Sequence, residues 1–137
     1  MNVSQRFAGD LAEGWYVPKC ILIVDDNATV RKAVRSVLEA QPGFEVCGEA
    51  SNGKEAVEKA RELKPDLIIM DLSMPVMNGL EASRALKSLM PDVPIVMFSV
   101  HRSGILEKNA RSVGIRAVVP KGDNINLVKE ARSLLGN

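Results

Sequence analysis

The stretch DLIIMDLSMPVMNG, residues 66–79, decides the fold of this chain. Its first five residues, DLIIM, are a short apolar run without alternation, which is typical of a parallel strand that helices cover on both faces. Four further short runs are CILIV, FEVCG, PIVMF and RAVV, and helical patterns separate them. From Lys19 onward the chain therefore predicts a repeat in which each strand is followed by a helix.

The helical stretches each have one apolar side. In the stretch after CILIV that side consists of Val30, Ala33, Val34, Val37 and Leu38, which predicts an amphipathic helix. Five strands in strict alternation with five helices predict an α/β fold with a doubly wound parallel sheet. Right-handed crossovers leave few topologies, and the usual ones place ligands at the carboxyl ends of the strands. Functional residues are therefore expected directly after each strand.

Length and charge limit the classes of function. A chain of 137 residues is long enough for one domain. Its 18 Lys and Arg against 17 Asp and Glu give a net charge of +1, so no overall field attracts it to nucleic acid or an anionic membrane. No apolar run approaches the roughly 20 residues of a membrane span, and the start of the chain does not have the pattern of a signal peptide. We expect a soluble, cytoplasmic protein without direct nucleic-acid or membrane binding.

The two cysteines, Cys20 and Cys47, have neither paired CxxC spacing nor histidines nearby. This pattern argues against a structural zinc site and against a disulfide scaffold. We predict buried, unreactive thiols in a reducing cytoplasm.

Residues 1–18 lie outside the strand and helix pattern and are predicted to be an N-terminal extension to a domain at 19–137. They contain Trp15 and Tyr16, the only Trp and Tyr of the chain. Two interpretations stay open, namely a frayed extension and an arm that docks Trp15 on the domain or on a partner.

Charged and polar side chains stand at four strand ends: Asp25 and Asp26, Asp71, Ser99, and Lys121. Three converging carboxylates repel, because two unit charges 4 Å apart cost about 4 kcal/mol at an effective dielectric constant of 20. The cluster therefore needs a cation or a proton. Oxygen ligands without a Cys/His cluster favour Mg²⁺.

Asp71 has a second potential role. A carboxylate can attack phosphorus and form an acyl phosphate if its neighbours neutralise the incoming oxygens. The metal, the Lys121 ammonium and the Ser99 hydroxyl are the candidate neighbours. The alternative is that Asp25, Asp26 and Asn27 merely cap the following helix, Ser99 caps the next one, and Lys121 is a solvated loop residue.

The stretch from Lys19 to Leu135 resembles the receiver domain of two-component response regulators, most closely receivers of the NarL/FixJ type. Residues 71–79 reproduce the DxxMPxxxG pattern of that family. The family's acidic pair matches Asp25 and Asp26, its phosphoacceptor Asp71, its hydroxyl Ser99 and its lysine Lys121. The resemblance implies a flavodoxin-like, CheY-like sheet of order 2-1-3-4-5. It also implies that Asp26, Asp71 and the Ser73 backbone carbonyl bind Mg²⁺ directly, with Asp25 acting partly through water.

The same resemblance implies a function in signal transduction. A sensor histidine kinase or phosphotransfer protein would donate a phosphoryl group to Asp71. The fourth helix, fifth strand and fifth helix would then contact an output protein. On this interpretation the chain is not an enzyme, beyond catalysing its own phosphorylation and dephosphorylation. Ser73 and His101 occupy positions that tend to tune the lifetime of the phosphorylated state, and a plain surface histidine is an equal alternative.

Two positions depart from the family pattern. Val118 stands where an aromatic residue usually reports movement of the hydroxyl, and Gly122 stands where a proline commonly follows the lysine. Both departures affect the expected signalling geometry more than the chemistry.

Two other classes of function stay open. A phosphatase that uses an aspartyl phosphate would normally carry a second acid at position 73, where this chain has Ser73. A pseudo-receiver would bind partners without phosphorylation. Only 16 residues follow Lys121, so we expect a stand-alone receiver or a truncated regulator without a DNA-reading domain.

Overall fold

The computed structural model describes residues 17–100 and 103–136. These residues form five strands and five helices in strict alternation. The strands are β1 (Lys19–Val24), β2 (Phe44–Ala50), β3 (Leu67–Met70), β4 (Ile95–Ser99) and β5 (Ala117–Pro120). The helices are α1 (Ala28–Glu39), α2 (Gly53–Leu63), α3 (Gly79–Leu89), α4 (Gly104–Ser112) and α5 (Asn124–Leu135). The predicted extension at 1–18 lies almost wholly outside the described residues, so its boundary stays a prediction.

The strands form one parallel sheet of order β2-β1-β3-β4-β5. This order confirms the predicted flavodoxin-like α/β fold. After β1 the chain forms β2 on one side of β1, and β3 then lies on the other side of β1. The direction in which strands are added to the sheet therefore reverses between β1 and β3. Ligand crevices of doubly wound sheets lie at this point, outside the carboxyl ends of the strands.

Both faces of the sheet are buried, which explains the apolar runs without alternation. Ile21 and Ile23 pack with the apolar sides of α1 and α5. Leu22 and Val24 pack with those of α2, α3 and α4. Because successive side chains of a strand point to opposite faces, a strand covered on both sides is apolar at nearly every position.

Each described helix begins directly after a capping side chain. Asn27, Asn52, Asn78, Ser103 and Asp123 each accept a hydrogen bond from a backbone N–H in the first turn of the helix. The predicted Asn27 cap is thus confirmed, with Asn27 Oδ1 accepting from the Thr29 and Val30 N–H groups. Each cap satisfies an otherwise unpaired N–H group and so favours a helix that begins directly after it.

The prediction of free thiols is wrong, because a disulfide joins Cys20 in β1 to Cys47 in β2 with a Cα–Cα distance of 5.3 Å. The two cysteines are 27 residues apart and only the pairing of the strands brings them together. Ile21 pairs with Val46 and Leu22 with Gly48, so a β-bulge leaves Cys47 without a partner in the ladder. The sequence spacing contains no signal for this bulge.

The longest described helices have 12 residues, so within residues 17–100 and 103–136 no helix is long and apolar enough to cross a membrane.

Candidate functional site

The loops that follow β1, β3 and β5 bring three acidic residues and a lysine to one edge of the sheet. One carboxylate oxygen from each of Asp25, Asp26 and Asp71 lies within 4.8 Å of the other two. Asp25 and Asp71 are buried, with 3% and 4% of their surface exposed, whereas Asp26 is exposed to solvent. The cluster therefore has a buried floor and one carboxylate at the entrance.

Lys121 bridges the two buried carboxylates. Its Nζ lies 2.7 Å from Asp25 Oδ2 and 3.2 Å from Asp71 Oδ1. Burial by itself would lower the pKa of Lys121, but the hydrogen bond and charge of Asp25, followed by those of Asp71, raise it above its usual value. The lysine is therefore a fixed positive charge between β1, β3 and β5, and the interpretation of Lys121 as a solvated loop residue is wrong.

Asp71 is less easily ionised than an ordinary aspartate. Burial raises its pKa above the usual value of 3.8, and the charge of Asp25 raises it further. Lys121 lowers the pKa of Asp71 but offsets only part of these effects. The uncompensated negative charge is what a cation bound here would neutralise.

Asp25 is held in position by a hydrogen-bond network that the sequence did not predict. The Arg31 guanidinium of α1 donates to the Asp25 backbone carbonyl through Nη1 and to Glu49 Oε1 through Nε. Arg35, one helical turn later, donates to Glu49 Oε2 at 2.7 Å. Burial by itself would raise the pKa of Glu49, but the hydrogen bonds and charges of the two arginines lower it below its usual value. The i, i+4 spacing of Arg31 and Arg35 was a signal for a shared partner, but it did not identify Glu49.

The β3–α3 loop is held close to the backbone of Asp71. The Asp71 N–H donates to the Val24 carbonyl at 2.9 Å, and the Gly79 N–H donates to the Leu72 carbonyl at 2.8 Å. A Cβ atom on Gly79 would lie 2.1 Å from the Asp71 carbonyl oxygen. Only glycine permits this approach, so Gly79, the last residue of the DxxMPxxxG pattern, helps to position Asp71, its first residue.

The other predicted site residues lie on the same edge of the sheet. Ser99 is the last residue of β4 and is 1% exposed, and its carbonyl accepts a hydrogen bond from the Lys121 N–H at 3.0 Å. Ser73 lies in the exposed part of the β3–α3 loop, two residues beyond Asp71. His101 lies outside the described residues, so its predicted tuning role stays a prediction.

Because the pKa of Asp71 is raised, removing its charge should change the free energy of unfolding by an amount that depends on pH. A raised pKa in the folded state means that the folded protein holds the proton more tightly, so stability falls as pH rises from about 3.8 through the folded pKa. In Mg²⁺-free buffer at pH 7, the Asp71→Asn variant should have a higher free energy of unfolding than the wild type.

Urea unfolding at a series of pH values between 7 and 4 measures this difference, which should narrow as pH falls toward 3.8. The control is Glu58→Gln, at an exposed position on α2, and it should show no such gain. A variant Asp71→Asn that is less stable than the wild type at pH 7 would contradict the prediction.

A second prediction concerns Gly79. The Gly79→Ala methyl group must displace the Asp71 carbonyl or the loop, so we expect a loss of about 1–3 kcal/mol in the free energy of unfolding. Gly104→Ala is the matched control, because Gly104 is also the first residue of a helix and a Cβ there meets nothing within 4 Å. Equal stabilities of the two variants in urea unfolding would refute the close-approach argument.

Comparisons with known proteins agree with this arrangement. The family model described as "Response regulator receiver domain" matches residues 21–132. Chemotaxis protein CheY of Thermotoga maritima is 38% identical over 113 residues, which are 82% of this chain and 93% of that protein. The crystal structure of a two-component response regulator of the LuxR family from Aurantimonas sp. is 32% identical, has a TM-score of 0.83, and covers 86% of this chain and 85% of that chain.

Longer relatives match over only part of their length. A protein-glutamate methylesterase/protein-glutamine glutaminase of Nocardioides sp. is 41% identical over 110 residues, which are 79% of this chain and 30% of the relative. The chain thus spans less than a third of the length of the methylesterases that it matches. Because the family model covers most of the chain and CheY is matched over nearly its whole length, this chain belongs to the response regulator receiver domain family.

Proposed function

We propose that this chain accepts a phosphoryl group on Asp71 from a sensor histidine kinase or a phosphotransfer protein, in a reaction that requires Mg²⁺. The observation that carries the proposal is the contact of the Lys121 ammonium with both Asp25 and Asp71, at 2.7 and 3.2 Å. This contact supports the proposal because it keeps a positive charge beside the Asp71 carboxylate, one oxygen of which would attack phosphorus.

The donor set of the site fits Mg²⁺. It offers one oxygen from each of three carboxylates, all within 4.8 Å of one another. Among the described residues, no His or Cys belongs to this cluster. Hard oxygen donors suit Mg²⁺, which keeps several water ligands. Asp26, Asp71 and the Ser73 backbone carbonyl would hold the ion directly, and Asp25 partly through water. The bound ion would supply positive charge opposite the incoming phosphoryl oxygens.

The chain's own residues would carry the transfer. An oxygen of the Asp71 carboxylate attacks phosphorus and forms a new O–P bond, while the bond from phosphorus to the donor's histidine nitrogen breaks. The electron pair of that bond stays on the nitrogen. Lys121 neutralises one phosphoryl oxygen, and the Ser99 hydroxyl donates a hydrogen bond to another, so the charge that accumulates is stabilised without rearranging solvent.

The phosphorylated state would then act on the surface formed by α4, β5 and α5. Phosphorylation adds a charge of roughly −1.5 to −2 beside Ser99 and Lys121, which end β4 and follow β5 directly. Movement of either residue displaces the strand next to it. A cleft of about 240 Å³ lies on this surface and is lined by Glu107, Arg111, Ile115, Arg116, Ala117, Val118 and Glu130. Its mixed charges suit an output protein recognised by complementary charge.

We further propose that the chain catalyses only its own phosphorylation and dephosphorylation, because Ser73 supplies no second acid beside Asp71. A cytoplasmic location is part of the same proposal, since histidine kinases and phosphotransfer proteins would have to reach Asp71.

Intact-protein mass after incubation with a small-molecule phosphodonor and Mg²⁺ tests the proposal. The wild type should gain one phosphoryl group, and the gain should disappear with EDTA and in Asp71→Asn. The control Asp92→Asn, at an exposed position away from the site, should be phosphorylated like the wild type. Lys121→Met should slow the reaction about 10²-fold or more.

The other classes of function give different results. A phosphoryl adduct on Asp71→Asn would show that the acceptor is another residue. No adduct on the wild type, with beryllofluoride also failing to bind, would support a phosphorylation-independent pseudo-receiver. Steady release of phosphate from a generic phosphoester would support the phosphatase class.

A further inference from the structure

The disulfide between Cys20 and Cys47 lies at the opposite end of the sheet from the acidic site. Cys20 is the second residue of β1, and its N–H donates to Asp66 Oδ2 at 2.7 Å. Asp25 follows five residues later, which in a strand is about 16 Å. The disulfide therefore contributes nothing directly to the chemistry of Asp71, and it needs an explanation of its own.

The two cysteines differ in accessibility. Cys20 lies in a central strand and is 3% exposed, whereas Cys47 lies in the edge strand β2 and is partly exposed. Cys47 is also the bulged residue, which has no partner in the β1–β2 ladder. Bulges redirect a side chain and interrupt pairing, so of the two cysteines Cys47 is the one that an external thiol reaches more easily.

We propose that Cys20 and Cys47 form a reversible thiol–disulfide switch that exchanges with low-molecular-weight thiols and disulfides through Cys47. An external thiolate attacks Cys47 Sγ and forms a mixed disulfide, and the bond to Cys20 breaks. Cys20 leaves as a thiolate and takes up a proton. A second external thiolate attacks the external sulfur of the mixed disulfide and releases Cys47, which also takes up a proton. In total the pair gains two electrons and two protons, and two external thiols become one disulfide.

The bond would control how firmly β2 holds to the sheet. Helix α1 holds the carboxyl-terminal half of β2 in place, because Glu49 of β2 forms salt bridges with Arg31 and Arg35 of α1. At the bulge, the disulfide is the covalent connection between β2 and β1. Its reduction should therefore loosen the amino-terminal half of the edge strand by local opening and leave the acidic site intact.

Equilibration in glutathione buffers of stepped ratio tests reversibility. Samples are quenched in acid, alkylated in denaturant and weighed as intact protein. The expected result is one transition, from no alkylated cysteine at high oxidised glutathione to two at high reduced glutathione, with the same midpoint from either direction. A pair that stays oxidised in excess reduced glutathione, or stays reduced in excess oxidised glutathione, would overturn the proposal.

Single variants test the role assigned to Cys47. In the folded state, oxidised glutathione should modify Cys20→Ser, which retains Cys47, at least about tenfold faster than Cys47→Ser, which retains Cys20. In denaturant the two rates should be equal. Equal rates in the folded state, or the reverse order, would overturn the assignment.

Peptide mapping of the wild type makes the test independent of the folding of these variants. After brief treatment with reduced glutathione, the trapped mixed disulfide should be on the peptide that contains Cys47, and its presence on the Cys20 peptide would overturn the assignment. Phosphorylation of Asp71 is a separate readout, so failure of the proposed function would leave this result unaffected.

Discussion

The contact of one ammonium group with two buried carboxylates is the constraint on which the site depends. Asp25 and Asp71 are both nearly inaccessible to water, so their repulsion is weakly screened, and Lys121 opposes it from the end of a third strand. Lys121 does not fully offset the burial of Asp71 and its repulsion from Asp25, so the pKa of Asp71 is still raised. The remaining electrostatic cost links the stability of the fold to the charge state of the site, and perturbed carboxyl groups of this kind are concentrated at functional sites.

The rest of the fold serves to hold these three groups together. β1, β3 and β5 each end at the same edge because the sheet is parallel, and the helix caps define where each loop stops. Gly79 lets the β3–α3 loop fold back against the Asp71 carbonyl. Arg31 ties the Asp25 peptide to Glu49 in β2, so the neighbouring edge strand also supports the site.

The backbone of the β3–α3 loop is strained at Val76. Val76 has a φ of +71°, which a β-branched residue rarely adopts, and it lies between Pro75 and Met77, whose carbonyl and N–H form a hydrogen bond across it. Such a conformation persists only where its surroundings enforce it, and strained residues of this kind concentrate at functional loops. The strain is therefore consistent with a loop whose shape matters to the site.

The sequence by itself determined the fold class, because apolar runs and helical periodicity are local properties of the chain, and it predicted the candidate site residues Asp25, Asp26, Asp71, Ser99 and Lys121 at the strand ends. The register of β1 against β2, the bulge at Cys47, the Cys20–Cys47 disulfide and the network of Arg31, Arg35 and Glu49 were decided only by the tertiary structure. The physical reason is that these contacts join residues distant in sequence. Their geometry depends on the register between neighbouring strands and on the side of the sheet that each helix covers, and neither quantity is encoded in the spacing of residues along the chain.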